Sequence, residues 1–259
     1  MKLTQIRNAT MIIEYFGKKF LIDPYLAEKE TYSGFEGTMN SHLRNPRVNL
    51  PFTLNEILNV DAVILTHIHP DHFDEVAIKV IPKNIKIFVQ NKEERDILSK
   101  LGFTNLDILS YNGNVFSDIT LIKTDGQHGL KEKVSEIYKQ ANLSPEACGV
   151  IFKNKNEKTL YLAGDTVWCM EVENTLQKYN PEIIVLNAGD ARLLNGISII
   201  MGKHDVVKTA KMMPKSMIIA THLEAVNHAI LSRQELEDFL QKNDIKNVLV
   251  AYDGENYIF

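Results

Sequence analysis

Thr66-His67-Ile68-His69-Pro70-Asp71-His72 decides how the rest of the chain is read. It follows Asp61-Ala62-Val63-Ile64-Leu65, an apolar, β-branched run with the composition of a buried strand. A core strand thus delivers three imidazoles and a carboxylate to the turn at its end, where Pro70 stops a simple continuation of the ladder. Residues i and i+2 of a strand share a face, so His67 and His69 are expected to serve one ion together. Asp71 and His72 lie past the bend and can address a neighbouring point. Imidazole and carboxylate without thiolate suit zinc, manganese or iron. Histidine makes up 8 of 259 residues. An H-x-H-x-D-H run would therefore arise by chance at roughly a few positions per million, and coincidence is the weaker reading. One motif does not fill a metal shell, so further ligands must come from elsewhere.

Upstream, residues 3–6, 10–15 and 20–23 read as three short strands, with Gly17-Lys18-Lys19 as the turn between the last two and Asp23-Pro24 as the stop. From about 25 to 55 periodicity disappears, while Tyr25, Tyr32, Phe35, His42, Arg44 and Arg47 are scattered through the segment. A loop that long inside a compact domain suggests a lid over a site. Downstream, strand and helix signals alternate. Residues 85–89, 119–123, 149–152, 159–163, 183–186, 217–220 and 248–250 read as strands. Asn91 has the chemistry of a helix start, Ser232-Arg233-Gln234-Glu235 reads as a capping box that opens another helix, Gly102 has the chemistry of a helix stop, and residues 130–144 are helix-compatible. The strand-rich first third excludes a purely parallel doubly wound sheet and predicts an α/β fold of mixed sheets covered by helices.

The length of 259 residues with 44% hydrophobic residues supports a sizeable core. No linker, repeat or low-complexity run divides the chain, so a single domain spanning 1–259 is expected, with a loop insertion at about 25–55. A net charge of −4 gives no long-range attraction for nucleic acid. No apolar run is long enough for a membrane span, and no signal peptide is visible. Cys148 and Cys169 read as reduced thiols, consistent with a cytoplasmic protein. Assembly of identical copies is compatible with all of this.

The apolar strands end in His67 and His69, in Gly126-Gln127-His128-Gly129, in Ala163-Gly164-Asp165-Thr166 and in Ala220-Thr221-His222. With the Leu21-Ile22-Asp23-Pro24 strand near the N-terminus, this ordered set resembles the metallo-β-lactamase superfamily. Within it, the chain is most similar to the metal-dependent hydrolases related to ascorbate-6-phosphate lactonase. The resemblance covers nearly the whole chain and implies an αββα sandwich with a dinuclear site at one edge. His67, His69 and His128 would hold one divalent ion, Asp71, His72 and His222 a second, and Asp165 would bridge them. Zinc or manganese is implied first and iron second. Metal-bound hydroxide would attack a small lactone or phosphate ester, with Asp71 orienting it or managing its proton. One departure is Asn8-Ala9-Thr10, where many relatives carry a His followed by a small residue.

Other residues are weighed against plainer roles. His228, six residues beyond His222, is the candidate to protonate a leaving group, against a surface-loop histidine. Arg192 and Lys203, with His42 on the loop, are candidates to bind a small anionic substrate, although single basic residues are more often solvated. No Ser or Cys sits in a nucleophile setting, which favours water as the attacking group. An iron-dependent oxidoreductase and a non-catalytic metal-binding protein are the alternatives, because one scaffold hosts many chemistries.

Overall fold

Strands with two apolar faces need cover on both sides, and that requirement sets the layers. In the computed structural model, which describes residues 1–141 and 143–259, the chain forms two seven-stranded sheets. Across the first lie β14 (Asn256–Ile258), β1 (Lys2–Arg7), β2 (Thr10–Tyr15), β3 (Lys18–Ile22), β4 (Ala62–Ile64), β5 (Lys86–Val89) and β6 (Leu106–Ile108). Across the second lie β13 (Val248–Val250), β12 (Met217–Thr221), β11 (Ile183–Asn187), β10 (Glu157–Leu162), β9 (Cys148–Asn154), β8 (Ile119–Asp125) and β7 (Asn114–Phe116). Strands β3 to β6 pair in parallel, as do β10 to β13, and the remaining pairs are antiparallel.

Alternation within each strand assigns its side chains to a layer. Ala62 and Ile64 join Ile13, Phe20 and Ile22 between the sheets, facing Val150, Phe152, Leu162 and Val185 of the second. Val63 and Leu65 point the other way, against Ile57, Ala77 and Leu98. These last three belong to α1 (Leu54–Ile57), α2 (Glu75–Val80) and α3 (Lys92–Lys100), which cover the first sheet. The second sheet is covered by α5 (Met170–Tyr179), α6 (Lys203–Met212) and α7 (Arg233–Lys242). Burial of each Leu, Ile, Val or Phe contributes about 1.5–3 kcal/mol, so a residue serving either face of β4 must be apolar. The result is the αββα sandwich. Helix α4 (Lys131–Gln140) stands apart from these layers and packs Val134 and Tyr138 on Ala191, Leu193 and Ile199. Among the described residues, no helix is long and apolar enough to cross a membrane.

Two local expectations are corrected. The β2–β3 hairpin turns on Phe16-Gly17, with φ of 45° and 74°, rather than on Gly17-Lys18-Lys19. A two-residue loop of that hand matches strand twist, and it draws Lys18 and Lys19 into β3 opposite Tyr15 and Glu14. At α7, Ser232 accepts from the Glu235 amide, but the Glu235 carboxylate turns to Lys203 at 2.5 Å, leaving only half of the capping box.

The segment following β3 is fastened at its base by the buried Arg7 guanidinium, which donates to the carbonyls of Tyr25 (2.5 Å), Ala27 (2.9 Å) and Val48 (3.0 Å). Strands β3, β4, β8, β10 and β12 all run toward the same edge of the sandwich. Five loops therefore open there side by side.

Candidate metal centre

Strand β4 stops at Ile64, so His67 and His69 leave the sheet before they meet. They are brought together by a turn in which the His72 and Phe73 amides both donate to the His69 carbonyl, at 2.8 and 2.9 Å. The His67 and His69 rings lie 4.4 Å apart between centroids, and both contact His128, which follows β8, at 5.2 Å. The turn is set by Asp23 at the end of β3. Its buried carboxylate accepts from the amide and hydroxyl of Thr66, each at 2.7 Å, and from His72 Nδ1 at 2.9 Å.

For three of these imidazoles the nitrogen facing away from the cluster has a fixed partner. His69 Nε2 bonds the Ser144 carbonyl, His128 Nδ1 the Ile199 carbonyl and His72 Nδ1 the Asp23 carboxylate, all at 2.9 Å. Such bonds orient each ring and direct its second nitrogen at the cluster, the usual preparation of a metal-binding histidine. His67 Nε2 is buried with no partner among the described residues. His72 Nε2 faces Asp165 Oδ2 at 3.2 Å, His222 Nε2 at 3.3 Å and Asp71 Oδ2 at 3.9 Å. His222 Nε2 lies 3.4 Å from Asp71 Oδ2, and His128 Nε2 lies 3.7 Å from Asp165 Oδ2.

Ligand atoms thus converge in three triads whose members lie within 4.8 Å of one another: His67, His69 and His128; His67, His72 and Asp165; and Asp71, His72 and His222. All seven predicted metal-ligating residues are in this cluster. Acceptor atoms crowded in a dry site need a cation between them, and the electrostatics agree. Burial pushes His67 well below its ordinary value and His69 down to about 4. Burial would also lower His72, but Asp165, Asp23 and Asp71 together raise it well above. Burial likewise opposes ionisation of Asp71 and Asp165, yet the facing histidines hold both well below the carboxylate range. The donor set fits divalent metal.

Local backbone makes the convergence possible. Gly164, before Asp165, has φ of 67°, and a Cβ there would run into the Cys148 carbonyl. Asp165 Oδ1 is held by Asn187 Nδ2 at 2.6 Å from the end of β11. His222 adopts φ of 60°, a conformation that costs a non-glycine residue about 1–2 kcal/mol. Its amide and the Thr221 hydroxyl donate to the Asn8 carbonyl at 3.1 and 2.9 Å. Asn8 Nδ2 in turn donates to the Asp71 carbonyl at 3.0 Å. Asn8, itself at φ of 55°, ties the two loops that carry Asp71 and His222.

His228 is buried, with Nδ1 unpartnered among the described residues. Burial takes it down to about 4, against the field of Asp71. Phe35, from the loop after β3, meets its ring edge-on at 5.3 Å. Asn227 holds that loop in place. Its Oδ1 accepts from Phe35 N (3.0 Å) and Asn45 Nδ2 (2.7 Å), and its Nδ2 donates to Thr38 Oγ1 (2.9 Å) and the Met39 carbonyl (2.7 Å). Neither Asn227 nor Asp23 was assigned a role from sequence. The available signals were the adjacency of Asn227 to His228 and the Asp-Pro stop of β3.

None of the predicted substrate-binding residues belongs to a ligand triad, although the Arg192 amide donates to the His228 carbonyl at 3.0 Å. Arg192 pairs with Asp190 through Nε (3.0 Å) and Nη2 (2.7 Å). Lys203 pairs with Glu235, and both basic residues line a cleft of about 410 Å³ whose walls include none of the seven ligand residues. His42 is exposed in the turn after Asn40.

Comparison with known proteins agrees with this geometry. A model described as the beta-lactamase superfamily domain matches residues 18–223. The chain belongs to that superfamily. It is 49% identical to the UPF0173 protein YddR of Bacillus subtilis, over 100% of both chains. Among solved structures it is similar to the isothiocyanate hydrolase from Delia radicum gut bacteria, with a TM-score of 0.96 and 47% identity over 100% of this chain and 99% of that one. It is also similar to a possible metal-dependent hydrolase from Veillonella parvula, with a TM-score of 0.93 and 42% identity over 99% and 98%.

Proposed function

We propose that the protein is a metal-dependent hydrolase of small, neutral electrophiles, and that isothiocyanates are its substrate class. The observation that carries this reading is the charge distribution around the ligand cluster. Tyr138 beside it and Phe35 against His228 are neutral, whereas Arg192 and Lys203 are neutralised by Asp190 and Glu235 in a separate cleft. The full-length relative described as an isothiocyanate hydrolase supports the choice. His67, His69 and His128 would hold one divalent ion, Asp71, His72 and His222 a second, with Asp165 between them. When bound, zinc or manganese would supply Lewis acidity and an activated water.

In the reaction, water oxygen bonds to the central carbon of R–N=C=S, both water protons end on nitrogen, and the C–N bond breaks to give R–NH2 and COS. His228, neutral at physiological pH, has no spare proton at rest. It can accept one from the attacking water and return it to the substrate nitrogen. Asp71, within the same cluster, orients the water.

Benzyl isothiocyanate, a lactone series and phosphodiesters should be offered in parallel to zinc-, manganese- and iron-loaded protein, with amine and COS release measured. Isothiocyanate turnover is expected, with kcat/KM of Arg192→Ala and Lys203→Ala within about twofold of the parent. Turnover of lactones or phosphate esters alone, weakened by those substitutions, would restore the anionic-ester reading. Oxygen uptake by the iron-loaded form without hydrolysis would make the protein an oxidoreductase.

A further inference from the structure

Tyr138 lies in the last turn of α4, on its buried face, and is 5% exposed. Its ring is nearly parallel to that of His69, at 5.9 Å and 21°, and sits 5.5 Å from that of His128. It therefore flanks the His67–His69–His128 side of the cluster, while His228 and Phe35 flank the Asp71–His222 side. The Tyr138 hydroxyl is buried, finds no partner among the described residues and lies within the field of both Asp165 and Asp71. A buried phenol normally finds a hydrogen-bond partner, and leaving one unpaired costs about 1–3 kcal/mol. A permanent cost of that size at the wall of a reaction site is offset when the partner arrives with the substrate.

We propose that Tyr138 is a substrate-contacting residue whose hydroxyl donates a hydrogen bond to the terminal heteroatom of the bound electrophile. This rests on the isothiocyanate reading for the identity of that atom, which is sulfur. When water adds to the central carbon of N=C=S, negative charge spreads onto nitrogen and sulfur together. His228 serves the nitrogen end and Tyr138 the sulfur end, so the linear group lies across the cluster between them. A phenol is protonated at neutral pH and is a donor there, and a donor aimed at charge that develops in the reaction accelerates it more than it tightens binding.

The test is Tyr138→Phe, which keeps the ring on His69 and His128 and removes only the hydroxyl. On benzyl isothiocyanate, kcat is expected to fall about 100-fold with KM changed much less, the metal content unchanged, and the melting temperature equal or higher. A second readout needs no turnover. Thiocyanate, a linear N–C–S anion, is titrated calorimetrically into metal-loaded parent and variant, and its Kd is expected to rise about tenfold in the variant. Equal Kd and equal kcat in the two proteins overturn the proposal. Loss of metal or a lower melting temperature in the variant also overturns it, making Tyr138 a support for His69 and His128. If the parent turns over only a lactone or ester, the isothiocyanate reading fails. The same comparison on that substrate, with the thiocyanate titration, then decides Tyr138 separately.

Discussion

Asp23→Asn tests how far the cluster depends on a residue that belongs to none of the ligand triads. The carboxylate accepts three hydrogen bonds, two from Thr66 and one from His72 Nδ1. An amide keeps one oxygen and can still accept from the Thr66 backbone. The Thr66 hydroxyl can turn and accept from the new NH2 group, but that group also faces the His72 Nδ1–H, and two donors cannot pair. The imidazole can relieve the conflict only by moving its proton to Nε2, the atom 3.2 Å from Asp165 Oδ2 and 3.3 Å from His222 Nε2. A protonated Nε2 has no lone pair for a metal ion. Loss of such an orienting partner costs about 10- to 100-fold in metal affinity or activity, equivalent to about 1.4 to 2.8 kcal/mol. Chelator competition with zinc and manganese, on stripped protein whose fold is verified by its melting curve, measures the loss directly. A folded variant that binds both ions with parental affinity, at parental kcat/KM, would refute the tautomer argument.

Asp165→Ala should lower metal per chain more than His69→Ala does, as read by elemental analysis, because Asp165 Oδ2 faces His72 and His128 together. Asn227→Ala removes four side-chain hydrogen bonds from the loop that carries Phe35; amide exchange over residues 35–45 should accelerate and turnover should drop while metal content holds. Glu94 is buried beside Gln90, and burial raises its carboxyl from 4.5 to about 7. The folded state therefore holds an extra proton between those values, so stability falls as pH rises through that window and the cost is complete above it. Glu94→Gln should remove the slope and gain up to about 3 kcal/mol at pH 8; urea melts at pH 5 and pH 8 with equal differences for both proteins would contradict this.

Much of the candidate ligand cluster was legible because each part lies next to a strand signal. A β-branched run followed by His, or by Gly-Asp, marks both a strand and what its end presents, and the parallel strands bring those ends to one edge. The route was less legible than the destination. His67 and His69 were expected to share a face of a strand, yet β4 ends at Ile64 and a turn held by Asp23 performs the alignment. Asn8 read as a departure from the His of many relatives. In three dimensions it links the Asp71 and His222 loops, a role that depends on contacts 63 and more than 200 residues away along the chain. Helices α2 and α5 were less legible because α2 buries only Ala77 and Cys169 at the start of α5 makes no side-chain cap bond.

Charge was the least legible property, for a physical reason. Arg192 and Lys203 sit near element ends, where a basic residue is well placed to meet an anion, and sequence reveals position but not partners. Asp190 is two residues from Arg192 and Glu235 is thirty-two from Lys203. Each pair cancels a full positive charge, and exposed pairs of this kind are further screened by salt. The charge the cluster shows a substrate therefore depends on its cations, because Asp71, Asp165 and Asp23 carry negative charge that two divalent ions would more than offset. On the isothiocyanate proposal the substrate is neutral when it binds and would acquire negative charge only as water adds, between Tyr138 and His228. A neutral ground state would gain little from those cations and leave their stabilisation for the state in which charge has developed.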